Sequence, residues 1–96
     1  MPKTLHLTLT HHWWEEIAAG RKTSEYRRFT EGWRKRLNRI QVGDLAVFHR
    51  GYTDRIITRQ IENIRIIVGR DLPNEVYDFF GKPNEDKFFE IQFSNE

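Results

Sequence analysis

Between Gly20 and Arg27 the chain reads Gly-Arg-Lys-Thr-Ser-Glu-Tyr-Arg, a G-x-K-x-x-E-x-R spacing at the exit of a Trp-rich segment. Residues two apart on a strand share a face, so Glu25 and Arg27 point the same way, with Lys22 one turn upstream. Such charges are costly to bury unless they satisfy one another. The segment must therefore form either a functional site or a structural ion pair at a strand entrance. In both cases it fixes a helix-turn-strand unit early in the chain.

The surrounding pattern supplies the other elements. Leu5, Leu7 and Leu9 alternate with His6 and Thr8, as in a half-buried strand. Thr10 is placed to cap a helix from about His11 to Ala19, and Gly20 stands where a left-handed helix stop is wanted. Thr30 caps a second helix in which Trp33, Leu37 and Ile40 form one stripe, with Lys35 and Arg39 opposite. Val42-Gly43-Asp44 turns into a strand from Leu45 to His49, and Gly51-Tyr52-Thr53-Asp54 reads as a hairpin loop. In the strand region from Arg55 to Val68 the alternation changes phase, which predicts a bulge at Glu62-Asn63. Pro73 opens a short helical turn ending at Gly81, and Phe89, Ile91 and Phe93 share one face of the last strand. Strands and helices do not alternate regularly, which excludes a doubly wound parallel sheet. The expectation is a single α+β domain over residues 1–96. It is a small, mostly antiparallel β-barrel of five to six strands with two to three short helices beside it.

Composition narrows the function classes. Only 38% of residues are hydrophobic, but 14% are aromatic, and large rings fill a small core efficiently. The absence of cysteine rules out disulfides, thiolate metal sites and a Cys nucleophile. No apolar run approaches the roughly 20 residues of a membrane span, and Met1 leads straight into an amphipathic strand rather than a signal peptide. The expected setting is the cytoplasm, with no membrane association. Net charge is only +2, but Arg21 to Arg39 holds eight cations against two carboxylates. Asp71 to Glu96 holds seven carboxylates against two lysines. The basic stretch suits a polyanion, or else the two ends neutralise each other across the fold.

Taken together, the order strand, Trp-rich helix, G-x-K-x-x-E-x-R, basic helix, Val-Gly-Asp and strand resembles the ASCH domain. This is the activating-signal-cointegrator homology family of the PUA-like superfamily. The resemblance covers roughly Leu5 to Phe93 and is most specific at Gly20, Lys22, Glu25, Arg27 and Val42-Gly43-Asp44. With Trp33 in a basic helix, the chain looks like the small versions from bacteria and phages. The resemblance implies a cleft beside the barrel, lined by the motif and walled by the first helix. It also implies RNA or a modified nucleoside as ligand. Some ASCH proteins are described as ribonucleases, and one bacterial group hydrolyses the amide of acetylated cytidine with a Lys, a Thr and a Glu. Lys22 falls on that Lys and Glu75 lies in the general region of that Glu. Glu25 occupies the position of the Thr, for which adjacent Thr23 is not an equivalent.

Three functions follow as expectations. The first is binding of RNA or a nucleoside. Lys22 contacts a phosphate or base carbonyl, Glu25 accepts from a base amino edge, and Arg27 anchors Glu25. Either Trp13 or Trp14, about 100° apart on a helix, stacks a base while the other is core. Trp33 and Tyr26 are read as core, Tyr26 alternatively as barrel exterior. Tyr52 is a second stacking surface, and Lys35 and Arg39 follow the phosphate backbone. The second is a hydrolase on the same substrates, with Lys22 and Glu25 as catalytic residues and His49 as a base if it reaches the cleft. The third is a protein-interaction domain whose basic helix meets an acidic partner. His12 and Glu16 are spaced for a metal, but no third ligand is evident. No metal or cofactor is expected, and no Gly-rich phosphate loop or Ser-His-Asp signature is present.

Overall fold

The computed structural model describes residues 1–96. Its first strand, β1 (Thr4–Leu9), buries Leu5, Leu7 and Leu9 and exposes Thr4, His6 and Thr8, as the alternation requires. Helix α1 (His11–Ala18) starts after Thr10, which has the extended backbone of an N-cap. Its hydroxyl makes no capping bond; the backbone carbonyl accepts from the Trp14 N–H at 3.0 Å instead. Gly20, at φ +78°, takes the left-handed conformation that turns the chain out of α1 towards β2 (Ser24–Arg28). Helix α2 (Glu31–Leu37) is capped as expected, the Thr30 hydroxyl accepting from the Trp33 N–H at 3.2 Å. Strands β3 (Leu45–Arg50) and β4 (Ile56–Val68), a 3-10 turn (Gly69–Asp71), helix α3 (Asn74–Phe79) and strand β5 (Lys87–Phe93) complete the chain.

The five strands form one sheet in the order β1-β3-β4-β5-β2. β1 pairs with β3 in parallel and every other pair is antiparallel. Asp44 sets up the parallel pair. Its carboxylate accepts from the Gln41 N–H at 2.9 Å and the Lys3 N–H at 3.0 Å, tying the start of β1 to the start of β3. These backbone donors hold the Asp44 carboxyl below the usual carboxylate range. The β4–β5 register moves from Ile61↔Phe93 to Asn63↔Gln92 and skips Glu62, so the expected bulge is present. β4 is thus shared by both halves of the sheet, and the bulge helps it curl into a half-barrel.

Inside the curl lies the main core, with Leu7, Ile17, Phe48, Ile61, Ile91 and Phe93 among its most buried members. A smaller cluster of Tyr26, Leu72, Val76 and Phe88 seats the α3 segment against β2 and β5. No helix is long and apolar enough to cross a membrane.

Candidate functional site

The sheet does not close. The edge strands β1 and β2 make no backbone ladder with each other. A side chain spans the seam: Arg27 Nη2 donates to the Thr8 carbonyl at 3.2 Å. At this seam lies a cleft of about 390 Å³. The end of β1, α1, β2, α2 and α3 all contribute to its lining.

The motif forms its floor. Glu25 is 7% exposed. Its Oε1 lies 3.2 Å from Lys22 Nζ, and its Oε2 accepts from Arg27 Nη2 at 2.6 Å and Nε at 3.1 Å. The two cations and one carboxylate leave the cluster at +1. Strand alternation accounts for the Glu25–Arg27 pair, and the turn at Gly20 brings Lys22 back over it. Lys22 Nζ also sits 4.9 Å from the Trp13 ring centroid and 5.4 Å from that of Tyr26. The Arg27 guanidinium lies 5.1 Å from the Trp33 ring. A cation held both by a carboxylate and against ring faces is well fixed in place.

The walls are aromatic. Trp13 meets Phe79 edge to face, with centroids 6.0 Å apart, and Phe79 remains 60% exposed. Phe80 lies behind Phe79, and Arg28 at the rim is held by Asp86 and the Phe80 carbonyl, each at 3.0 Å.

Tyr26 also borders the cleft, its phenol donating to Glu90 Oε2 at 2.9 Å. Burial, reinforced by the Glu90 hydrogen bond and charge, pushes this phenol up to about 12. The sign follows. The raised value favours the neutral folded form, so the stabilisation is complete below the ordinary tyrosine value of 10.0 and is lost as pH rises through about 12. An alkaline absorbance titration should show a phenolate step near pH 12 that disappears in Tyr26→Phe. The stability advantage of the parent over that variant should fade across the same window. If the step that Tyr26→Phe removes lies instead at the ordinary tyrosine value, the burial and the Glu90 contact are not maintained.

Several expected residues lie elsewhere. Of the tryptophan pair, Trp13 faces the cleft, while Trp14 is core, 4% exposed, its indole N–H donating to the Phe48 carbonyl at 3.0 Å. Trp14 therefore offers no stacking surface. Tyr52 is fully exposed at the tip of the β3–β4 loop and does not line the cleft. His49 does not reach the cleft either; its Nε2 pairs with His6 Nδ1 at 2.8 Å on the exposed face of β1 and β3. Lys35 and Arg39 border a separate hollow beside β1. Trp33, expected in the core, is half-buried and belongs to both the core edge and the cleft wall. His12 pairs with Glu75 at 3.0 Å and Glu16 with Arg21 at 2.5 Å, so the two are not joined at a metal site. No group of three His, Asp or Glu is gathered anywhere. Glu75 borders a smaller pocket that also includes Lys22. Phe79 and Phe80 were absent from the sequence-based site. Their signal was two adjacent rings at the end of a helix too short to bury both.

No family profile matches the chain, and no curated protein matches it in sequence. Solved structures do. ASCH from Zymomonas mobilis superposes with a TM-score of 0.70 at 15% identity, over 96% of this chain and 67% of that one. A point-mutant form of the same protein gives 0.69 at 16% identity, over 95% and 68%. The hypothetical protein PH0355 gives 0.58 at 20% identity, over 95% of this chain and 99% of its own. Identities this low speak for architecture alone, and the architecture of this chain is the ASCH-like fold, a small α+β half-barrel.

Proposed function

We propose that the cleft binds a base of RNA, or a modified nucleoside, between its aromatic walls. The observation that carries this reading is the combination of Trp13, Phe79 and Trp33 around a nearly buried Lys22–Glu25–Arg27 cluster of net charge +1. Every base has a π-face, and stacking on an aromatic side chain contributes about 1–3 kcal/mol. The charged floor supplies direction. Lys22 has three donors, of which Glu25 takes one, leaving others for a carbonyl or phosphate oxygen. Glu25 has about four lone-pair positions and accepts three contacts, leaving room for one amino group. A volume of about 390 Å³ is at the small end of ligand sites and suits one nucleoside.

The rival reading is a hydrolase of the same substrates, a ribonuclease or an amidohydrolase on acetylated cytidine. Lys22 would then stabilise negative charge developing in the transition state. Against it, Glu25 stands where the resemblance places a Thr, and His49 lies outside the cleft. Lys22 therefore faces no paired nucleophile and base, and binding is the better supported function.

The test is a titration of labelled single-stranded RNA with the parent, Lys22→Ala and Phe79→Ala, with the RNA examined on a gel afterwards. Each substitution should weaken binding roughly tenfold, the loss of one charge-assisted bond or one stacking partner. Unchanged affinity in both variants would remove the ligand from this cleft. Shortened RNA that depends on Lys22 would favour the nuclease.

A further inference from the structure

The free edge of β1 carries more positive charge than the cleft uses. β1 pairs with β3 on one side only. On its other side the exposed carbonyls meet guanidinium groups: Arg27 Nη2 donates to Thr8 and Arg36 Nη2 donates to His6. Alternate residues of a strand are roughly 7 Å apart, a step comparable with that between successive phosphates of an extended nucleic-acid strand. Trp33 links the two guanidinium groups, its ring 5.1 Å from that of Arg27 and 4.1 Å from that of Arg36. Beyond Arg36 the edge opens into a second hollow of about 590 Å³, bordered by Lys3, Lys35, Arg36 and Arg39 and by no carboxylate. None of these four cations forms an ion pair, whereas seven of the nine other arginines are held by acids, all but Arg55 and Arg59. Four cations without an ion-pair partner around one concavity attract a polyanion.

We propose that the natural ligand is a single strand of nucleic acid rather than a free nucleoside. One base enters the cleft, and the adjoining phosphates follow the free edge of β1 past Arg36 into the hollow at Lys35 and Arg39. This rests on the base-binding reading of the cleft. A duplex does not fit the arrangement, because its bases are already paired and stacked and cannot enter between Trp13 and Phe79 without being extruded.

The decisive experiment compares a free nucleoside with oligoribonucleotide and oligodeoxyribonucleotide probes of about ten residues. The proteins are the parent, Lys35→Ala/Arg39→Ala and Phe79→Ala, each at several salt concentrations. The double variant should bind the oligonucleotide at least tenfold more weakly, with a salt slope shallower by about 1–2, and bind the nucleoside as the parent does. Phe79→Ala should weaken both ligands. Equal loss with RNA and DNA would assign recognition to the phosphates, and loss confined to RNA would add the 2′-hydroxyl; both support the track. If the double variant binds the oligonucleotide like the parent while Phe79→Ala weakens it, the cleft reading stands and the track is wrong. If only the double variant matters, the cleft reading falls and takes the proposal with it. Competition by polyglutamate as effective as that by the oligonucleotide would overturn the proposal in favour of an acidic protein partner.

Discussion

Glu25→Gln should lower stability by about 3 kcal/mol, the lower end of the loss for breaking a buried ion pair by removing one partner. For a domain of this size that is a fall of roughly 12–24 °C in the melting midpoint. Lys22 and Glu25 side chains are 10% and 9% exposed and Arg27 22%, so water offers little compensation once the carboxylate is neutral. The amide can still accept hydrogen bonds, but it no longer offsets two cations held against each other at the seam. A second substitution tests the cause. Lys22→Met in the Glu25→Gln background removes one unpaired charge and should recover part of the loss, a non-additivity expected of residues in one network. A midpoint that falls by less than about 5 °C would mean that water already solvates the cluster. The same substitution changes binding in a defined direction. The cluster rises from +1 to +2, so attraction to phosphate and its salt dependence should increase, while discrimination between bases should decline.

What was legible in the sequence follows from the range of each interaction. Lys22, Glu25 and Arg27 could be placed together because turn and strand geometry fixes residues two to five apart. The inward leucines of β1 and the bulge at Glu62 were legible for the same reason, since alternation is a local signal. The choice between Trp13 and Trp14 was not. Each falls near the apolar side of α1, and the deciding partners are Phe48 for one and Phe79 for the other, both distant in sequence. Tyr52, an aromatic ring in a loop, reads as a stacking surface in the sequence, yet the hairpin carries it away from the cleft. Trp33 lies on the buried stripe of α2, and only the open seam beside β1 turns part of its ring into a cleft wall. The parallel β1–β3 pair depends on Asp44 gripping the Lys3 backbone, a contact across 41 positions that no local pattern encodes. The basic segment was correctly seen as uneven charge, but its division into a paired cluster in the cleft and an unpaired hollow beside β1 required the fold.

Gly69→Ala should be the most damaging single-methyl substitution in the chain. A β-carbon at Gly69 would lie 1.7 Å from the Pro83 carbonyl oxygen and 2.6 Å from its carbon. Both are backbone atoms, so no side-chain rotation relieves the clash. The two segments are also stitched together at this point. Gly69 N–H donates to the Asp86 carbonyl at 2.7 Å and Arg70 N–H to that of Asn84 at 3.1 Å, so the backbone cannot part without breaking them. Overpacking of this kind costs about 1–3 kcal/mol, occasionally more, and the upper part of that range is expected here. The loss should be unevenly distributed. The buried packing that seats α3 is the small cluster around Leu72 and Val76, and neither residue belongs to the main core. α3 should therefore loosen before the half-barrel does, with its amides exchanging faster while those of β3 and β4 stay protected. Because α3 presents Phe79 and Phe80 to the cleft, ligand affinity should fall at least as far as in Phe79→Ala. Exchange in α3 unchanged from the parent would show that the Pro83 segment can yield without releasing the helix. The cleft wall would then be independent of the 69–86 clasp.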